Sequence, residues 1–218
     1  MRNPSYEDES PVDLERWKQT LPAWLQQFLP SGGGHHHRVG EKSLFGFTIF
    51  LLSESMIFAS FFFAYLMLRL QTDNWLPPET PKLELTQPTI NTIILVSSSL
   101  VIYFAERDLK RRQMNKFRGL WLTTTAMGTL FLIGQWREWH NLSFGINTSL
   151  FATTFYLLTG FHGLHVFTGI ILQIFMLIRS FIPGNYKHGH FGVTATSLFW
   201  HFVDIIWLIL FSLLYLWQ

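Results

Sequence analysis

The sequence predicts an all-α fold: a polytopic membrane bundle of five transmembrane helices with its N-terminus in the cytoplasm. Three observations predict it. Five apolar stretches, at Leu44–Leu70, Thr89–Ala105, Leu120–Gln135, Leu150–Ile178 and Thr194–Trp217, approach the length needed to cross a hydrocarbon core of about 30 Å at 1.5 Å per residue. The 218 residues are 49% hydrophobic and only 14% charged, with 22 Phe and 9 Trp, a balance that soluble domains rarely show. Finally, 13 of the 16 Lys and Arg residues fall on one side of the expected membrane. Backbone polar groups in lipid must bond within their own segment, so stretches without strand alternation become helices.

Residues 1–43 differ from the rest and are expected to form a cytoplasmic segment ahead of a membrane domain at 44–218. Residues 1–20 are polar and acidic with no signal-peptide core, so insertion is expected to begin with the first membrane helix. Val12, Leu14, Trp17, Leu21, Trp24, Leu25 and Phe28 fall on one stripe, which predicts a short interfacial helix interrupted at Pro22. Ser31-Gly-Gly-Gly-His-His-His37 reads as a flexible linker. Its adjacent histidines His35, His36 and His37 do not preorganise a metal site.

The first membrane helix carries Glu54. Asp73–Pro88, with Pro77, Pro78, Pro81 and Pro88, reads as an extended outer loop. The second helix leads into Arg107, Lys110, Arg111, Arg112, Lys116 and Arg118, a basic cluster that serves as a topology signal against anionic headgroups. The third ends in Gln135-Trp-Arg-Glu-Trp-His140, where Trp136 and Trp139 suit an interfacial aromatic belt. The fourth is longer than a perpendicular crossing requires. It places His162 and His165 on one face, alongside Gly160, Gly163 and Gly169, small residues that let another helix approach. The fifth brings His201 and Asp204 to a common face.

Glu54, His162, His165, His201 and Asp204 carry the functional signal, because an ionisable group in a bilayer costs at least about 2.5 kcal/mol and asks for a partner. Three uses are open to them. Histidines on two helices can clamp a haem or metal, but no further ligands or supporting shell are evident. A proton or substrate path of the transporter kind would use the same residue types; paired Gly and Pro breaking a helix would strengthen that reading, and Leu44–Leu70 holds neither except Gly46. The third use is a structural polar network that fixes helix packing, in which Glu54 is expected to pair with His162. With no cysteine in the chain, disulfides, thiolate metal sites and cysteine-ligated copper are excluded.

Phe45-Gly-Phe-Thr-Ile-Phe-Leu-Leu-Ser-Glu54-Ser-Met-Ile-Phe-Ala-Ser-Phe-Phe-Phe-Ala-Tyr65, Gly160-Phe-His-Gly-Leu-His165-Val, His190-Phe-Gly and Trp200-His-Phe-Val-Asp204 closely resemble subunit III of the haem-copper oxidases, the cytochrome c oxidase polypeptide III family. The resemblance runs from about Phe45 to Trp217, leaving 1–43 outside. It implies a bacterial five-helix form that lacks the first two of the family's seven helices. It implies an accessory subunit of a proton-pumping terminal oxidase that reduces oxygen to water, with no catalytic residue, haem or copper of its own. Haem and copper then reside in partner subunits: subunit I, its direct partner, and subunit II. Glu54, His162, His165 and Asp204 match the family's buried polar groups, and Arg179 a basic residue that contacts a lipid phosphate. Bound phospholipid is implied, although the family's lipid cleft has lost one wall. The implied location is a bacterial cytoplasmic (inner) membrane, or a thylakoid membrane in a cyanobacterium. A quinol-oxidase subunit, a nitric-oxide-reductase accessory protein and a stand-alone proton-coupled transporter remain alternatives.

Overall fold

The structure, a computed structural model, describes residues 36–73, 75, 83–182, 186 and 190–217, and of residues 36–42 the backbone alone. Five helices account for nearly all of it: α1 (His36–Gln71), α2 (Thr86–Lys110), α3 (Met114–Asn141), α4 (Leu150–Ser180) and α5 (Phe191–Phe211), the last continued by a π-helical turn at Ser212–Leu216. Four of them, α1, α2, α4 and α5, are long and apolar enough to cross a membrane. Helix α3, at 28 residues, has the length but carries more polar groups.

The helices alternate in direction. The α2–α3 turn, the start of α5 and the end of α4 share one end of the bundle, where Glu106 accepts from Thr194 at 3.1 Å and Arg118 donates to Ser180. This is the basic end. At the opposite end Tyr65 donates to the Leu213 carbonyl at 3.0 Å, and the Arg69 guanidinium lies 4.5 Å from the centre of the Trp217 ring. Helices α2, α3, α4 and α5 close a ring in which each packs on the next and α5 returns to α2; α1 lies outside it, against α5.

Burial follows the coiled-coil repeat. On α2 the buried positions are Pro88, Asn91, Leu95, Ser98, Ile102, Ala105 and Leu109, and on α3 Phe117, Trp121, Thr124, Gly128, Phe131, Gln135 and Glu138 are among them. Both step alternately by three and four residues, the period that keeps one seam facing its partner at a shallow crossing angle. On α4 the run Leu158, His162, Val166 takes two steps of four, a local departure from the seven-residue repeat that turns the seam. The reversal between α2 and α3 needs only a tight turn, in which Arg112 adopts φ 60°, at a cost of about 1–2 kcal/mol for a residue with a side chain.

Several expected boundaries shift. Helix α2 starts at Thr86, so Pro88 lies in its first turn rather than in the loop, a position where the missing N–H is not required. It runs on to Lys110, where Lys110 pairs with Glu106 at 2.8 Å. Helix α3 exceeds Leu120–Gln135 at both ends. An apolar stretch marks the part suited to lipid, whereas the helix continues into charged turns that remain amphipathic. Helix α1 already includes His36 and His37, where the linker was expected to extend; no proline follows to stop it. The interfacial helix, His35 and half of the 73–88 loop lie outside the described residues.

Candidate functional site

The five intramembrane ionisable groups form two separate sites and one isolated ring. Glu54 on α1 is partly buried and meets His165 on α4, Oε2 to Nε2, at 3.2 Å. The expected pairing with His162 is therefore wrong. Three residues along a helix turn the side chain by about 60° of arc, and that is enough to face the two histidines toward different neighbours. His165 Nδ1 lies 2.9 Å from the Phe161 carbonyl, which can only accept, so Nδ1 carries a proton. Nε2 must then either accept from a protonated Glu54 or donate to its carboxylate. In both arrangements the pair is neutral overall, which lowers the cost of holding it in a bilayer. Phe58, Phe161 and Phe199 wall it in, with ring centres 5.0, 4.8 and 6.2 Å from the imidazole.

The second site lies between α2 and α5. Ser99 Oγ is 2.9 Å from His201 Nδ1 and also donates to Asp204 Oδ2. Asp204 is buried, at 5% exposure, and its Oδ1 has no hydrogen-bond partner among the described residues. Neighbouring hydroxyls on α2 bind the indoles of α5: Ser98 accepts from Trp200 Nε1 at 2.8 Å and Thr92 from Trp207 Nε1 at 2.9 Å. Toward the basic end the same seam continues through Thr194 and Glu106.

His162 is 1% exposed and neither ring nitrogen has a hydrogen-bond partner among the described residues. It packs against the Trp207 ring at 5.0 Å and edge-to-face with Phe131 at 5.9 Å. A single mutual network of five groups was expected, and His162 belongs to neither pairing that the fold provides.

Glycine packing departs from the expected stripe in a similar way. A Cβ on Gly163 would meet nothing within 4 Å, and one on Gly160 would make an ordinary 3.5 Å contact with Trp139. Gly169 alone of the three is tight: a Cβ there would come within 2.8 Å of Trp200. On α3, Gly128 would crowd the other edge of the same indole at 2.5 Å. The small residues receive a tryptophan side chain, not a neighbouring helix. Trp139 likewise turns inward onto Tyr156, leaving Trp136, 60% exposed, to the expected interfacial role.

At the basic end, Arg118 ties the start of α3 to the end of α4. Its guanidinium donates to both the Ser180 carbonyl and hydroxyl and lies 4.5 Å from the Phe181 ring centre. The carbonyls of a final helical turn lack intrahelical partners, so this contact caps α4. Tyr186 donates to the Met176 carbonyl at 2.8 Å. Burial pushes its phenol up to about 12, against the opposing influence of Arg179, so it remains a donor at physiological pH. Arg179 is partly buried and lies 5.9 Å from the Phe175 ring centre. We expect Arg118→Ala to release the end of α4 at a cost of about 1.5–3 kcal/mol, typical of hydrogen bonds to a charged group. Amide hydrogen exchange of Phe181 and Ile182, whose N–H groups bond to Ile178 and Arg179 carbonyls, should accelerate while the α2 core stays protected.

Sequence reasoning missed Ser99 and Gln173, and read Arg118 only as a topology signal and Gln135 and Glu138 only as part of an interfacial cluster. Gln173 is fully buried, accepts from Thr125, and its backbone carbonyl takes the Trp121 indole N–H at 2.8 Å. Gln135 donates to Glu138 at 3.1 Å. Ser99 sits in a run of three serines in an apolar helix, but a serine there can equally satisfy itself on its own backbone.

Together these features define a polytopic helical membrane protein whose ionisable groups are enclosed in small sites on helix seams. The profile of the family described as Cytochrome c oxidase subunit III matches residues 19–218, beginning earlier than the motifs that set in at Phe45. The chain is 46% identical over 183 residues to cytochrome c oxidase subunit 3 of Thermostichus vulcanus, covering 84% of this chain and 90% of that one. It is 44% identical over 190 residues to the Synechocystis protein of the same name (87% and 82% covered) and 34% identical over 207 residues to that of Rattus norvegicus (91% and 79%). The chain belongs to the cytochrome c oxidase subunit III family.

Proposed function

We propose that the chain is the accessory, non-catalytic subunit of a proton-pumping cytochrome c oxidase, holding the catalytic subunit I, its lipids and its proton uptake in working order. The observation that carries this reading is the family match over residues 19–218. In it, subunit I is the direct partner, subunit II belongs to the same complex, and both haem and copper reside in those partners. The donor inventory supports the absence of a redox centre here. The chain has no cysteine. Its membrane histidines lie on separate seams, with His165 on Glu54, His201 on Ser99 and His162 among aromatic rings. Among the described residues no three His, Cys, Asp or Glu converge on a metal-sized space.

The chain crosses the membrane five times in this reading. Helix α3, at 28 residues, reaches about 42 Å, and its polar groups Gln135, Glu138, Thr124 and Thr125 face the core rather than lipid. The basic end lies in the cytoplasm by the positive-inside rule, and the N-terminus lies with it, so residues 1–43 form a cytoplasmic segment ahead of the membrane domain at 44–218. The membrane is the bacterial cytoplasmic membrane, or the thylakoid membrane, in line with the Synechocystis relative. Glu54, His162, His165, His201 and Asp204 fix helix packing. Arg179, at the basic end of α4, grips a phospholipid phosphate, for which a guanidinium offers two parallel donors.

Purification through a tag on this chain from its own membrane tests the reading. A haem-bearing subunit I and a copper-bearing subunit II should co-isolate, and the chain stripped of them should show no Soret band and no stoichiometric copper. Recovery of the Arg179→Ala chain should carry less anionic phospholipid. A haem retained by the stripped chain and lost on His165→Ala would overturn it.

A further inference from the structure

The geometry points to a proton-holding relay on the α2–α5 seam, in which Ser99 passes a single proton between Asp204 and His201. Ser99 Oγ carries one hydrogen but is in hydrogen-bond contact with both a carboxylate oxygen and an imidazole nitrogen. Both contacts can be satisfied in two ways. In the first, Asp204 is protonated and donates to Ser99, whose own hydrogen goes to His201 Nδ1. In the second, His201 Nδ1–H donates to Ser99, which donates to the Asp204 carboxylate.

Conversion between them is balanced without any other reactant. The Asp204 O–H bond breaks as Ser99 Oγ takes that proton, and the Ser99 O–H bond breaks as His201 Nδ1 takes the second. A carboxyl and a neutral imidazole become a carboxylate and an imidazolium, and no electron leaves or enters. The trio remains neutral overall, which is what allows such a proton to move inside a bilayer at all. Purely structural packing would need only one of these contacts, whereas here a hydroxyl bridges two titratable groups.

The site also has a direction. Asp204 is the buried end, with Oδ1 unpartnered, while His201 is partly exposed. Glu106 is held by Lys110 and Thr194. The other titratable groups on helices packed around this seam are occupied elsewhere or apolar in setting: Glu54 is on His165, Glu138 is on Gln135, and His162 is among rings. In this relay the proton enters and leaves by way of His201, the more exposed of the two groups.

Infrared spectroscopy of the full-length chain in phospholipid nanodiscs, with carbon-13-labelled aspartate and a pH titration, tests this directly. The Asp204 carboxyl band, absent in Asp204→Asn, and the His201 ring band should change at one common midpoint. Ser99→Ala should split that midpoint and slow hydrogen–deuterium exchange at the carboxyl by roughly tenfold, the equilibrium value of one hydrogen bond of about 1.4 kcal/mol. Ser99→Thr, which keeps the hydroxyl, should restore the common midpoint. Independent titration of the two bands in the unaltered chain would overturn the relay. So would a common midpoint that survives Ser99→Ala, or an aspartate carboxyl band that never changes with pH. If Asp204→Asn does not fold, the isotope label and the two Ser99 variants still decide the matter.

Discussion

Trp200→Ala is expected to be among the most damaging single substitutions in the bundle, at about 3–5 kcal/mol, the range for truncating a buried tryptophan. Trp200 is fully buried on α5 and touches every other helix of the ring. Its indole N–H donates to Ser98 on α2, and its two edges lie in notches at Gly128 on α3 and Gly169 on α4. Lipid removes much of the hydrophobic drive between helices, so association depends on packing and interhelical hydrogen bonds. Loss of the ring removes both. The complementary change, Gly128→Ala, should cost about 1–3 kcal/mol by overpacking, and Trp200→Phe in the same chain should recover part of that. Gly163→Ala, with open space around its Cβ, should be neutral or slightly stabilising, since alanine gains up to about 1 kcal/mol of helix propensity over glycine. Denaturation in detergent micelles, followed by tryptophan fluorescence, reads all four. A Trp200→Ala chain as stable as the Gly163→Ala chain would contradict this account of the core.

The second large effect belongs to Glu54 and His165. His165→Leu should cost about 2.5 kcal/mol or more, because it leaves a carboxyl in the bilayer with its acceptor or donor removed. Glu54→Leu should cost less, since His165 keeps its Phe161 carbonyl. The double substitution should be close to Glu54→Leu alone, giving a coupling of about 2.5 kcal/mol in a double-mutant cycle, toward the upper end of what directly contacting residues show. His162→Leu in the Glu54→Leu background should be additive, because His162 packs on Trp207 and Phe131 and shares no partner with Glu54. Coupling between Glu54 and His162 equal to that with His165 would contradict the observed pairing.

Much of this fold is legible in the sequence, because the bilayer imposes so few solutions. Apolar runs locate the helices, and the basic loops group α2's end with α3's start. Helix ends are less legible, as at α3, where Lys116, Arg118 and Glu138 extend the helix beyond its apolar run while remaining on its amphipathic pattern. The candidate residues are visible as ionisable groups where lipid should exclude them, but their partners are not. His162 and His165 differ by a fraction of a turn, and only the rotation of α4 against α1 decides which one meets Glu54. Ser99 is harder still: the hydroxyl is chemically common in membrane helices, and its role appears only once α5 brings His201 and Asp204 against it. Gly128 and Gly169 are invisible as a pair, since nothing local indicates that one indole lies across both.

The claim that this chain supports the oxidase without taking part in its chemistry is tested most directly by depleting it from the purified complex and following oxygen consumption over many turnovers. With subunit I still correctly metallated, the initial rate should be retained. Proton uptake should slow at high pH, or the catalytic lifetime shorten, as the neighbouring proton entrance and its lipids lose the packed helices beside them. Immediate and complete loss of activity in a fully metallated complex would contradict the account and place this chain within the reaction itself.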